Sequence, residues 1–169
     1  MDSVYYRFSN AAGDCYAVEI SRLTDGFLGD ETLKYLNDKK LELWNIILVR
    51  EGWREKVTPV RLLLEISTAI ANFYQLHKNV ILCFQCDDIE DVPMSRTKRA
   101  NGITVQKYRS VLFSNMFERY AEKHELPLVN YPIYFEACGN DVYIHLLTHE
   151  CNIDAINVIK ADVMQCFSK

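Results

Sequence analysis

The sequence predicts an α+β domain, one mixed and mostly antiparallel sheet of about six strands with three main helices packed on it. Three observations carry that reading. Residues 4–21 and residues 133–149 each read as a hairpin, closed near Gly13-Asp14 and at Gly139-Asn140 respectively. Residues 79–86 place apolar side chains on both parities of a period-two pattern, as a strand covered on both faces does. Residues 58–77, 104–124 and 152–167 repeat apolar side chains at helical spacing. With 169 residues, 49% hydrophobic and 25% charged, the chain suffices for one domain spanning 1–169 with a full core. No internal repeat, low-complexity stretch or linker interrupts it.

In chain order, residues 4–8 and 15–21 form the first two strands around the turn at 10–14. Gly26 and Gly29 precede a short helical run from Asp30 through Leu33 and Leu36. Residues 41–50 are strand-like, with Trp44, Ile46, Ile47, Leu48 and Val49. Thr58-Pro59 is a helix start, because proline is preorganised for the first turn. Leu62, Leu63, Ile66, Ile70, Phe73 and His77 follow at helical spacing.

After the strand at 79–86 the chain turns acidic at Asp87, Asp88, Glu90 and Asp91, then basic at Arg96, Lys98 and Arg99 before the turn at Asn101-Gly102. Thr104 caps the next helix, whose stripe is Val105, Tyr108, Leu112, Met116 and Tyr120, widened by Phe113 and Phe117. Pro127 and Pro132 bracket a loop before the last hairpin. A primed turn at Gly139-Asn140 sets Cys138 opposite Asp141, Glu136 opposite Tyr143 and Tyr134 opposite His145. Ile133, Phe135, Ala137, Val142, Ile144 and Leu146 then share the other, apolar face. A final helix begins near Asn152 and carries Ile156, Ile159, Val163 and Phe167.

A formal charge of −4 excludes a strongly basic nucleic-acid binder, though a local patch can still act. No apolar run is long enough to span a bilayer, and the N-terminus lacks a basic region followed by an apolar segment. The expected location is the cytoplasm, with no membrane partner. The six cysteines are then reduced and mostly buried. Cys83-Phe-Gln-Cys86 has redox or zinc spacing, but on a strand side chains three apart point to opposite faces. No cofactor is expected.

Three places offer chemistry. Asp87 and Asp88 follow the carboxyl end of a central strand, where sheets of this kind place ligands and a hard cation could bind; the plainer reading is a solvated turn. Arg96, Lys98, Arg99, Lys107 and Arg109 gather near a helix N-terminus with no acidic residue between them. Cations there oppose the helix dipole by roughly 0.3–1 kcal/mol each, which favours an anionic partner, a nucleic acid or an acidic protein segment, over a bare solvated loop. Tyr134, Glu136, Tyr143 and His145 share the outer face of the last hairpin, where Glu and His could pair as acid and base or the face could lie under a helix or in a homodimer contact. His145 and His149 share a face but stand roughly 13 Å apart at about 3.3 Å per residue, too far to chelate one ion. Neither a Gly-x-Ser-x-Gly turn nor a papain-type cysteine motif occurs.

The order strand, helix, strand, helix, strand, strand from residue 41 to 149 resembles the second half of GCN5-related acyltransferases. Those enzymes hold the coenzyme A pyrophosphate on an Arg/Gln-x-x-Gly-x-Gly/Ala turn at the first of these helices. Here that stretch, residues 50–59, lacks the glycines of that turn and is longer, and Pro59 removes a donor, so no acyl-coenzyme A binding is expected from it. A second resemblance, over about three-quarters of the chain, is to a family of small bacterial proteins of unknown function. It rests on Tyr6-Arg-Phe8 with Tyr16-Ala-Val18, Ile66-Ser-Thr68 with Ile70 and Phe73, the strand ending Cys86-Asp87, and Arg109-Ser-Val-Leu-Phe113 with Phe117. The loop between Asp91 and Thr104 is longer here, and Tyr120 stands where a bulkier aromatic pair is expected. The function expected is a bacterial binding or interaction protein engaging an anionic partner through 96–109, with a divergent acyltransferase-fold enzyme as the alternative.

Overall fold

β1 (Ser3–Ser9) and β2 (Cys15–Arg22) pair antiparallel, with Tyr6 opposite Val18. The turn between them is closed by Asn10, whose carbonyl accepts from the Gly13 N–H at 3.0 Å and whose side-chain oxygen accepts from the Asp14 N–H at 3.0 Å. Gly13 takes a φ of 85°, which a side chain would resist. In this computed structural model the described residues are 3–11, 13–23, 26, 28–51, 60–86, 94, 100–137 and 139–167, without the side chains of 60, 166 and 167.

The chain continues through α1 (Asp30–Asp38), β3 (Glu42–Glu51), α2 (Val60–Leu76), β4 (Val80–Cys86), α3 (Val105–Lys123), β5 (Leu128–Ala137), β6 (Asn140–His149), a 3-10 turn at Glu150–Asn152, and α4 (Ile153–Phe167). Six strands make one sheet in the order β1-β2-β3-β4-β6-β5, antiparallel throughout except for the parallel pair β3 and β4. The α+β class and the mixed, mostly antiparallel sheet are those the sequence predicts. The described residues hold four helices, the three main ones and the short α1.

Each face of the sheet has its own core. Tyr16, Val18, Ile20, Trp44, Ile46, Leu82, Phe84 and Leu147 pack against Ile66, Ile70 and Phe73 of α2, with Phe113 and Phe117 of α3 beside them. Leu43, Ile81, Cys83, Ile133, Ile144 and Leu146 pack against Leu36 of α1 and Ile156, Ile159 and Val163 of α4. β4 is therefore apolar on both parities because helices cover both of its faces. Cys83 and Cys86 fall into opposite cores, so they do not form a redox or zinc pair. Burial in a medium that cannot stabilise a thiolate pushes the Cys83 thiol up to about 12.

The last hairpin corrects two expectations. β5 begins at Leu128 and runs through Pro132, which a ladder tolerates because β5 is the edge strand and proline need not donate outward. The register is also shifted by two residues. Ala137 pairs with Asn140 and Gly139 takes φ 78°, so Glu136 lies opposite Asp141, Tyr134 opposite Tyr143 and Pro132 opposite His145, while Cys138 lies outside the described residues. A shift of two preserves the faces, and Ile133, Phe135, Ile144 and Leu146 do share the apolar side.

Candidate functional site

The parallel ladder between β3 and β4 is short. It runs from Glu42 opposite Val80 to Asn45 opposite Cys83 and stops, while β3 continues to Glu51 and β4 to Cys86. Each continuing strand stays paired on its other side, β3 to β2 and β4 to β6. The two strands therefore part, and a cleft of about 370 Å³ opens between them, within the size range of small-molecule sites.

The walls of the cleft follow from the helices on either side. Leu63, Ile66, Ser67 and Ile70 repeat at helical spacing on α2, and Arg109, Leu112, Phe113 and Met116 do so on α3. Ile46, Leu48 and Phe84 come from the sheet face beneath these helices, whereas Asn45, Ile47 and Gln85 belong to the opposite face. The gap thus reaches through the sheet. On the far side Ile47 and Val49 are 40% and 44% exposed, unusual for apolar residues of an interior strand. Phe84 and Phe113 stack at 4.4 Å between centroids and floor the cleft with aromatic surface. Among the described residues that line it, the polar ones are Asn45, Ser67, Gln85 and Arg109.

A chain of hydrogen bonds lies behind that aromatic floor. His145 is fully buried, with its ring 5.1 Å from Phe113 and 6.4 Å from Phe84. Its Nε2 is 2.9 Å from Ser110 Oγ on α3, and its Nδ1 is 2.9 Å from Asn130 Oδ1 on β5. The Asn130 amide donates in turn to Ser114 Oγ of α3 at 2.9 Å. An amide oxygen only accepts, so Nδ1 carries the ring hydrogen and Nε2 accepts from the Ser110 hydroxyl. Burial without a counter-charge lowers the His145 pKa to about 4, so the ring is neutral near pH 7.

The residues singled out from the sequence are scattered by this fold. Arg96, Lys98 and Arg99 lie outside the described residues, as do Asp87 and Asp88. Lys107 is exposed in the first turn of α3, where its N–H donates to the capping Thr104 hydroxyl at 3.3 Å. Arg109, two residues on, is buried and lines the cleft. The two residues of the basic run that are described therefore face different surroundings. On the last hairpin Tyr134 and Tyr143 are in ring contact at 4.9 Å, and the exposed Tyr134 hydroxyl donates to Asp141 at 2.8 Å. Glu136 is exposed, and its cross-strand partner lies four residues along β6 from His145. The carboxylate and the imidazole are not neighbours, and both ring nitrogens of His145 are already engaged, so no acid/base pair forms there.

Sequence reasoning missed three features. The cleft has no local signature, because it arises where two strands distant in sequence diverge. Ser110 and Asn130 become partners of His145 only through the packing of α3 over β5 and β6. The third is a buried ion pair, Arg50 Nη2 to Asp14 Oδ1 at 3.0 Å, with both side chains almost wholly buried and Asn10 donating to the other carboxylate oxygen at 2.9 Å. The placement of Asp14 next to a turn glycine hid it as a turn residue. Among the described residues no group of three or more His, Cys, Asp and Glu side chains is placed to hold a metal ion, and no helix is long and apolar enough to cross a membrane. Comparison of this chain with protein-family models, with curated proteins and with solved structures returned no match.

Proposed function

We propose that this chain is a small-molecule binding protein whose ligand lies in the cleft between β3 and β4, and that the ligand is an extended, mostly apolar chain carrying amides, of the kind found in the pantetheine arm of an acyl thioester. The observation that carries the reading is the early end of the β3/β4 ladder. Past Asn45 and Cys83 the two strands form no pairs with each other among the described residues, so two sheet edges border one apolar cleft. A strand edge recognises a chain that offers alternating amide N–H and C=O groups. The walls favour methylene and thioether groups over charged ones.

The order β3-α2-β4-α3-β5-β6 resembles the second half of GCN5-related acyltransferases without their coenzyme A turn, so the ligand class rests on the cleft alone. Binding is preferred to transfer because the described lining contains no carboxylate, histidine or cysteine to move a proton. Isothermal titration with pantetheine, acetyl-coenzyme A and a mixed-sequence oligonucleotide tests the reading. Saturable heat with the first two supports it, and heat with the oligonucleotide alone would return the function to the basic segment at 96–109.

A further inference from the structure

We infer that His145 is a positioning residue for the cleft, bridging Ser110 of α3 to Asn130 of β5 and thereby holding α3 at the distance from the sheet that gives the cleft its width. The inference rests on the cleft being the ligand site. Two side-chain contacts tie α3 to the β5/β6 hairpin here, Ser110 to His145 and Ser114 to Asn130, and a third, His145 to Asn130, joins them within the hairpin. Ser110 and Ser114 are one helical turn apart, so the bridge grips α3 at two successive levels. Arg109 and Phe113, each adjacent in sequence to a gripped serine, supply cleft wall. Whatever lets go of Ser110 and Ser114 moves that wall.

The bridge also makes the wall sensitive to protons. In the neutral ring Nε2 accepts from Ser110; a proton on Nε2 would force that hydroxyl to turn and accept instead, and would set a charge in a fully buried site. The titratable groups on the same face of these three strands are Cys86 of β4, Asp141, Tyr143 and His149 of β6, and Tyr134 and Glu136 of β5. Glu136 and Asp141, paired across the two strands, stand at the far end of the hairpin from His145, and Asp141 accepts from Tyr134. Burial is what disfavours the imidazolium, so acid is expected to loosen α3 while α4, on the other face, stays packed.

Amide hydrogen exchange of the ligand-free protein at about pH 4 and pH 7, corrected for the intrinsic pH dependence of exchange, reads this directly. Protection along α3 should fall in acid relative to α4. Ser110→Ala, which cuts only the helix end of the bridge, should show the loosened α3 already at pH 7 with little further change, and His145→Gln should abolish the pH dependence. Pantetheine affinity, measured in parallel, should drop about twofold from pH 7 to about pH 4 in the natural protein and stay flat in His145→Gln. Equal protection of α3 at both pH values, or an identical acid response in Ser110→Ala, would overturn the inference. Failure of pantetheine to bind at either pH would instead remove the proposed ligand and leave the exchange result to decide the bridge.

Discussion

Asn45 and Cys83 form the last step of the parallel ladder, and the cleft between β3 and β4 opens past that pair. Beyond it β2 holds β3 and β6 holds β4, so the gap is held open from both outer sides rather than by the ligand. A preformed cleft avoids the ordering cost that a collapsing site would meet on binding.

Filling that cleft should abolish binding with little effect on the fold. Ser67 lines it from α2, and its hydroxyl merely donates back to the Leu63 carbonyl at 2.9 Å. Ser67→Phe places an aromatic ring in existing space, so the melting temperature should change by no more than a few degrees while titration heat with pantetheine disappears. Unfolding of the variant would show that the space is not available as described.

Acid should destabilise the protein through His145 with a definite sign. The folded pKa of about 4 lies below the unfolded value near 6.5, so the unfolded chain binds the proton first. The stability that comes from keeping the ring neutral is therefore complete above about pH 6.5, is lost as pH falls toward about 4, and amounts to about 3 kcal/mol at ~1.4 kcal/mol per pKa unit. Urea denaturation at intervals of pH should show a smaller acid loss for His145→Gln than for the natural protein, which also cancels the contribution of the carboxylates elsewhere.

Asp14→Ala should be among the most damaging single changes. It takes the carboxylate away from the nearly buried Arg50 guanidinium, which lies 5.9 Å from the Tyr16 ring centroid, and from the Asn10 amide. Breaking one partner of a buried pair costs about 3–5 kcal/mol, so the urea midpoint should fall sharply. The exposed pair Arg7–Glu51, at 3.1 Å, serves as the control, since its loss should change stability by under about 1 kcal/mol.

Lys107→Glu should have the opposite sign. Lys107 sits exposed in the first turn of α3, which contains no acidic residue. A carboxylate there suits the helix dipole and should raise stability by about 0.3–1 kcal/mol by chemical denaturation. If the segment 96–109 engages nucleic acid, the same change should also weaken oligonucleotide binding in anisotropy measurements at low salt.

What could be read from the sequence was the part governed by local periodicity. The Thr104 cap, the short helix from Asp30, and the both-face burial of residues 80–86 each follow from residues within a few positions of one another. The hairpin faces were legible for the same reason, but its register was not, because pairing Ala137 with Asn140 rather than Cys138 with Asp141 changes partners without changing which side chains face inward. His145 lies on the face expected, yet whether that face is open depends on where α3 comes to rest, and nothing within the hairpin encodes that. Arg109 illustrates the same limit. In the sequence it belongs to a run of cations, but helical geometry turns it into the cleft while Lys107 remains in solvent.

The most direct test of the cleft as the ligand site is a titration of ¹⁵N-labelled protein with pantetheine, followed by amide chemical shifts. Binding where the strands part should move the amides of Ile46, Ile47, Leu48, Phe84 and Gln85 together with Leu112 and Met116, leaving those of α4 in place. Shifts confined to other surfaces, or none as the ligand reaches millimolar concentration, would contradict the account.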